Sequence, residues 1–224
     1  MRNMKNIVGA FFAVVAASSI SNAADLIAYD NTLNPSPQNY FHTTGTEFGD
    51  EVNLAIPSGW YSLTSIGFEY HAEGLSGGET AVLRIYANDG ASTGRALSPK
   101  TVLFDSSVEG LTLPIQNGSK SLTINGNGRT WQVPTDFTWT VSFNGVTGAE
   151  KAGLLVYDPP TVGGSYNDYW QKDGTTWSLY QIDNGNIPAN FGARVIVLPE
   201  PSVIQLGLVA GAGWLGFLAM RRRS

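Results

Sequence analysis

Between residues 24 and 198 the side chains alternate between apolar and polar with the two-residue period of strands. Phe137-Thr138-Trp139-Thr140-Val141-Ser142-Phe143 keeps that alternation without a break, apolar on one face and hydroxyl on the other. Ile66-Gly67-Phe68-Glu69-Tyr70 repeats it, and residues 80–86, 101–104, 121–124, 153–157, 176–182 and 192–198 are further strand candidates. Turn-forming residues separate them: Asn88-Asp89-Gly90, Asn117-Gly118, Asn125-Gly126-Asn127-Gly128, Asn144-Gly145 and Asp183-Asn184-Gly185. No stretch of ten or more residues here has the 3.6-residue period of an amphipathic helix. Many short strands joined by polar turns predict an all-β fold, a single β-sandwich of jelly-roll type. No fixed repeat length stands out, which argues against a propeller or solenoid.

The two ends break the pattern. A short basic stretch with Arg2 and Lys5 precedes an uncharged apolar run over 7–20, followed by Ser21-Asn22-Ala23-Ala24. Small residues at −3 and −1 fit signal-peptidase cleavage after Ala23, so residues 1–23 are expected to be an export signal. The run is too short for the roughly 20 residues of a membrane-spanning helix. At the other end, 203–220 contains no charge, and Gln205 is its one strongly polar residue. As a helix, 18 residues rise about 27 Å, enough to cross a hydrocarbon core of about 30 Å with flanking help. Arg221-Arg222-Arg223 follows and is expected to stay on the cytoplasmic side, which would place the body outside the inner membrane. Between body and span stands Leu198-Pro199-Glu200-Pro201-Ser202, a stiff extended peptide, because each proline restrains its own φ and its predecessor. The expected organisation is thus a signal peptide over 1–23, a β-sandwich over 24–198, and a C-terminal segment over 199–224.

The order Pro199-Glu200-Pro201, apolar span, Arg221-Arg222-Arg223 resembles the PEP-CTERM sorting signal, a short domain also catalogued as the ice-binding protein C-terminal domain. The resemblance implies a bacterium with a Gram-negative-type envelope and an exosortase, the membrane transpeptidase-like enzyme that processes such precursors near the motif. It implies that Pro199, Glu200 and Pro201 are substrate determinants, that the precursor is held transiently in the inner membrane by 203–220, and that Arg221, Arg222 and Arg223 are its stop-transfer cluster. The protein then passes to the cell surface or matrix, commonly beside exopolysaccharide or biofilm. Export machinery, signal peptidase and exosortase are the partners it implies, with exopolysaccharide a further one. Parts of the body, Phe48-Gly49-Asp50-Glu51-Val52 with 83–89, 153–160, 170–179 and 190–194, are similar to bodies found upstream of such signals. Those bodies are mostly uncharacterised sandwiches, so that similarity supports an architecture and supplies no activity.

Charge and composition narrow the chemistry. The chain has no Cys, which excludes disulfides, thiolate metal sites and cysteine nucleophiles. Its formal net charge of −5 is an average over unlike parts. Without 1–23 and 199–224, which hold five basic side chains and Glu200, the body keeps 8 basic and 17 acidic groups, a net of −9. Such a body is not expected to bind nucleic acid. His42 and His71 are the two imidazoles, and no G-x-S-x-G elbow is present; Gly163-Gly164-Ser165 reads as a flexible turn after Pro159-Pro160. Asp50 and Glu51 cannot act as a facing carboxylate pair on a strand, because neighbours point to opposite faces. No catalytic set is expected, and no cofactor. Asp89-Gly90, Asp173-Gly174 and Asp183-Asn184-Gly185-Asn186 offer hard oxygens to a structural calcium, and are equally ordinary turns. Tyr166, Tyr169, Trp170, Trp177 and Tyr180 concentrate beside Asp168, Gln171 and Asp173. That cluster has two readings: a sugar-stacking platform built on Tyr169, Trp170 and Trp177, or large rings closing one end of the core. The expected function is a structural or adhesive matrix component, with a carbohydrate-binding module as the alternative and an extracellular hydrolase as a third.

Overall fold

The computed structural model of the protein describes residues 24–42 and 45–198, without the side chains of 37–42. The expected signal peptide with Ala23, the Pro199-Glu200-Pro201 motif, the 203–220 span and Arg221 to Arg223 lie outside the described residues. Within them the chain is nearly all strand: β1 Leu26–Asp30, β2 Pro35–His42, β3 Glu47–Asn53, β4 Trp60–Glu73, β5 Thr80–Ala87, β6 Val102–Asp105, β7 Leu113–Pro114, β8 Gly118–Asn125, β9 Trp131–Pro134, β10 Asp136–Asn144, β11 Lys151–Tyr157, β12 Gly164–Ser165, β13 Tyr169–Asp173, β14 Thr176–Tyr180 and β15 Ala193–Leu198. One short 3₁₀ turn, Asp183–Gly185, interrupts them. Among the described residues no helix is long and apolar enough to cross a membrane.

The strands form two antiparallel sheets. The first runs β1-β15-β4-β11-β2, with β8 and β9 also paired to β4. The second runs β14-β13-β3-β10-β5-β6, with β12 on β3 and β7 on β5. The 14-residue β4 organises the first sheet. One of its edges takes β15 and then β11, and the other takes β8 and β9. Alternation sets the inner face: Ile66, Phe68, Tyr70 and Ala72 are buried, while Glu69, His71 and Glu73 face out. Against them stand Phe137, Trp139, Val141 and Phe143 of β10, all buried. Phe68 stacks on Trp139 with centroids 6.2 Å apart, and Tyr70 meets Phe143 at the same separation, so rings from both sheets share one core. At one margin Phe104 of β6 meets Trp131 of β9 edge-on at 4.5 Å, which closes the two layers there.

Each of the eight segments whose alternation predicts a strand contains one. In β10, however, the hydroxyl face is covered as well. All seven positions between Asp136 and Asn144 are buried, Thr138, Thr140 and Ser142 included. A strand buried on both faces needs partners for its outward hydroxyls. Thr138 donates to Asn88 Oδ1 and Thr140 to Glu47 Oε1, both at 2.7 Å.

Gly163-Gly164-Ser165 is not a flexible turn. Gly164 and Ser165 pair with Asn53 and Val52 of β3. Gly163 adopts φ +77°, and a Cβ there would stand 2.6 Å from the Asn53 carbonyl oxygen. Gly49 is required for a different reason: a Cβ on it would lie 2.0 Å from the Trp139 carbonyl oxygen, where β3 and β10 approach closely.

Candidate functional site

The outer face of the second sheet gathers much of the chain's ionic and aromatic chemistry. Register fixes who meets there. Thr138, Thr140 and Ser142 lie opposite Tyr86, Arg84 and Val82 on one side, while Thr138 and Thr140 face Glu51 and Gly49 on the other. Trp170 and Lys172 of β13 extend the same face, opposite Gly49 and Glu47.

Glu47 is the hub. Its Oε1 accepts from the Tyr86 hydroxyl and from Thr140 Oγ1, each at 2.7 Å. Its Oε2 stands 3.3 Å from Arg84 and 3.6 Å from Lys172 Nζ. Arg84 continues to Asp105, with Nε donating at 2.6 Å. Burial together with the Glu47 carboxylate holds the Tyr86 phenol protonated, far above the ordinary tyrosine range. Trp177 packs edge-on to Tyr86 at 5.2 Å, and the Lys172 ammonium lies 5.3 Å from the Trp177 ring and 5.7 Å from the Tyr86 ring.

A second centre lies beside it. Arg95, from the loop after β5, donates through Nε and NH2 to both oxygens of Asp168, at 3.0 and 2.7 Å, and also reaches Glu51 at 3.2 Å. Its guanidinium sits 3.8 Å over the Tyr166 ring. Burial pushes the Glu51 and Asp168 carboxyls up despite the opposing pull of Arg95. Two shallow recesses flank this latch. One of about 450 Å³ is lined by Asn53, Gly163, Ser165 and Tyr166. Another of about 370 Å³ is lined by Asp168, Leu179, Tyr180 and Asn184.

The sequence-predicted aromatics separate into different roles. Tyr169 is buried in the core, edge-on to Phe48 and Phe191 and stacked on Tyr180. Trp170 is fully buried on the outer face. Neither offers a ring face to solvent, which for these two rings fits the reading of large aromatics closing the core and not that of a sugar-stacking platform. Burial follows because β13 and β14 continue the second sheet beyond β3 rather than standing free of it. Trp177 remains partly open, and the exposed rings are Tyr166 and Tyr180. Composition alone marked the region, but face and depth depend on pairing with β3, more than a hundred residues earlier.

Inside the sandwich lies a polar group that the sequence marked only as half of a non-pair. Asp50 and Glu51 do point to opposite faces: Glu51 meets Arg95, whereas Asp50 is fully buried. Asp50 Oδ2 accepts from Ser165 Oγ at 2.6 Å and from the Phe191 N–H at 3.3 Å, and Oδ1 has no hydrogen-bond partner among the described residues. Burial drives this carboxyl well above the ordinary aspartate range, against the two donors that favour its charged form.

The remaining candidates are held in local structure. His71 lies on the outer face of the first sheet, its Nδ1 2.8 Å from Ser119 Oγ and its Nε2 3.3 Å from Glu73. The side chain of His42 lies outside the described residues. Asp89 binds the N–H and hydroxyl of Thr101, Asp173 accepts from Gln171 and Tyr180, and Asp183 from Asn186. Among the described residues no three His, Asp or Glu side chains converge as a metal-binding group. Comparison with protein-family models, with curated proteins and with solved structures finds no match for this chain.

Two outcomes follow from this geometry. Arg95→Ala strands two largely buried carboxylates and is expected to lower unfolding stability by about 2 kcal/mol. Arg129→Ala, whose side chain is 73% exposed in its pair with Glu109, should change it by less than about 0.5 kcal/mol. Urea unfolding of the two variants checks the contrast. For Asp50, the folded state holds the proton more tightly than the unfolded chain does. The stability this contributes is present in full below the unfolded aspartate value, near pH ~4, and is lost as pH rises toward the folded value. Asp50→Asn should therefore lose less stability between about pH 4 and 8 than the parent; equal losses would show that Asp50 does not carry that proton.

Proposed function

We propose that this chain is an exported, non-enzymatic surface or matrix protein. Its sandwich serves a structural or adhesive role, and its C-terminal segment is a PEP-CTERM sorting signal read by an exosortase. One observation carries the reading: Pro199-Glu200-Pro201, an uncharged 203–220 and Arg221-Arg222-Arg223 follow in that order directly after the last strand. In this account residues 1–23 direct export with cleavage after Ala23, 203–220 anchors the precursor in the inner membrane, and the freed body, of jelly-roll type, goes to the cell surface. The polar contacts of the body support a structural role, since the carboxylates Glu47, Glu51 and Asp168 on the outer face of the second sheet and Asp50 inside the sandwich are engaged in holding strands and loops together.

A carbohydrate-binding role is a second reading, favoured by one feature: Trp177 is partly open beside Lys172, and exposed Tyr180 borders the recess at Asp168. Ring stacking with flanking hydrogen bonds is how such surfaces hold sugars.

In the native host the mature protein should be found outside the cell without Arg221 to Arg223, and deletion of the exosortase should leave it full length in the inner membrane. An intact C-terminal tail on the external protein would overturn the sorting reading; mass spectrometry decides. A polysaccharide array distinguishes the second reading: binding lost in Trp177→Ala with the fold retained would favour a carbohydrate module. Trp170→Ala is unsuitable for that test, because it removes a buried ring.

A further inference from the structure

Five Asn-Gly bonds occur in the sequence, at 117–118, 125–126, 127–128, 144–145 and 184–185. Such a bond carries its own chemistry, because the asparagine carboxamide lies within reach of the next peptide nitrogen and glycine has no Cβ to hinder the approach. The nitrogen reaches the carboxamide only where the peptide plane between the two residues can turn. Four of the five are held. The Gly126 N–H donates to the Thr64 carbonyl at 2.8 Å, and Gly126 is buried. The Gly185 N–H donates to the Ile182 carbonyl at 3.0 Å. Asn117 is tied through its side chain, with Oδ1 accepting from the Leu75 N–H at 2.8 Å and Nδ2 donating to the Leu75 carbonyl at 3.2 Å. Asn144 ends β10 in register with Thr80 of β5.

Asn127-Gly128 differs. The two residues form the tip of the turn between β8 and β9, closed by the Arg129 N–H donating to the Gly126 carbonyl at 2.8 Å. Both are exposed, with φ of +47° and +88°, the signs of a type I′ turn. Among the described residues neither the Gly128 N–H nor the Asn127 side chain has a hydrogen-bond partner. Turning the one peptide plane between them converts type I′ to type II′, moving ψ of Asn127 from about +30° to about −120° and reversing the sign of φ at Gly128. Glycine accepts both signs, and both turn types keep the closing hydrogen bond. The turned plane carries the Gly128 nitrogen to the side of the Asn127 carboxamide.

We propose that Asn127 is a site of spontaneous covalent modification, converted through a succinimide to aspartate and isoaspartate as the folded protein ages. The Gly128 nitrogen bonds to Cγ of Asn127, the bond from Cγ to Nδ2 breaks, and ammonia leaves with the Gly128 amide proton. Water then opens the ring at either carbonyl and leaves one carboxylate. The reaction consumes water and needs no enzyme. The sandwich around it stays intact, because β8 and β9 on the two sides of the turn are each paired to β4. The new charge stands two residues from Arg129, whose guanidinium already pairs with Glu109 at 3.2 Å.

The test is to incubate the purified full-length chain in mildly alkaline water enriched in heavy oxygen and to map its peptides by mass spectrometry over time. Exchange of the amide for a labelled carboxylate should run at least about fivefold faster at Asn127 than at the other four asparagines, the factor that breaking one hydrogen bond of ordinary net strength imposes on a population. In guanidinium chloride, where the turn and the ladders are lost, the five should react at similar rates. Equal rates in the folded chain, or a faster reaction at another of the five, would overturn the proposal. So would a lead of Asn127 that persists in the denaturant, since the turn would then not be its cause.

Discussion

The stack of Phe68 on Trp139 is the contact on which this fold depends. It joins the longest strand of one sheet to the most deeply buried strand of the other. Neighbouring rings, Tyr70 against Phe143 and Phe48 against Phe191, extend the same layer. A chain without cysteine has no cross-link to limit its unfolded state, so apolar burial between the sheets must supply the cohesion. Both halves of that interface come from strands with strict two-residue alternation, which delivers every second ring to the same face.

A second, polar layer follows from the first. Once Phe137, Trp139, Val141 and Phe143 are turned inward, Thr138, Thr140 and Ser142 must face outward, and here that side too is closed. Buried hydroxyls need partners, and Asn88 and Glu47 provide them for the two threonines. Glu47 in turn needs cations, provided by Arg84 and Lys172, and the neighbouring carboxylates Glu51 and Asp168 need Arg95. The acidic body thus concentrates several of its eight basic side chains on one face. Specificity of loop placement is the physical return, because a guanidinium held by both oxygens of Asp168 tolerates little displacement.

The stretches that announced themselves were those with long, regular alternation, such as 137–143 within β10 and 66–70 within β4. Others carried weaker local signals. β2 contains two prolines, β12 is two residues long, and β13 reads Tyr-Trp-Gln-Lys-Asp without a clean period. Each is a strand because a neighbour offers it hydrogen bonds, which no local pattern encodes. The aromatic cluster near 170 was legible as composition. Its division into a core Tyr169, a covered Trp170 and a half-open Trp177 was not.

From the sequence alone come the strand-rich body, the outward and inward faces of its regular strands, and the unlike ends that flank it. These depend on neighbours one to a few residues apart, so a local reading suffices. Only the tertiary structure decided that both faces of β10 are closed, that Ser165 belongs to a strand bonded to Asp50, and that Arg95 joins Asp168 to Glu51. The bonds responsible span 93 residues for Thr140 and Glu47, 115 for Ser165 and Asp50, and 73 for Arg95 and Asp168. Contacts that distant are set by how two sheets register and pack, and sheet packing is a property of the whole chain.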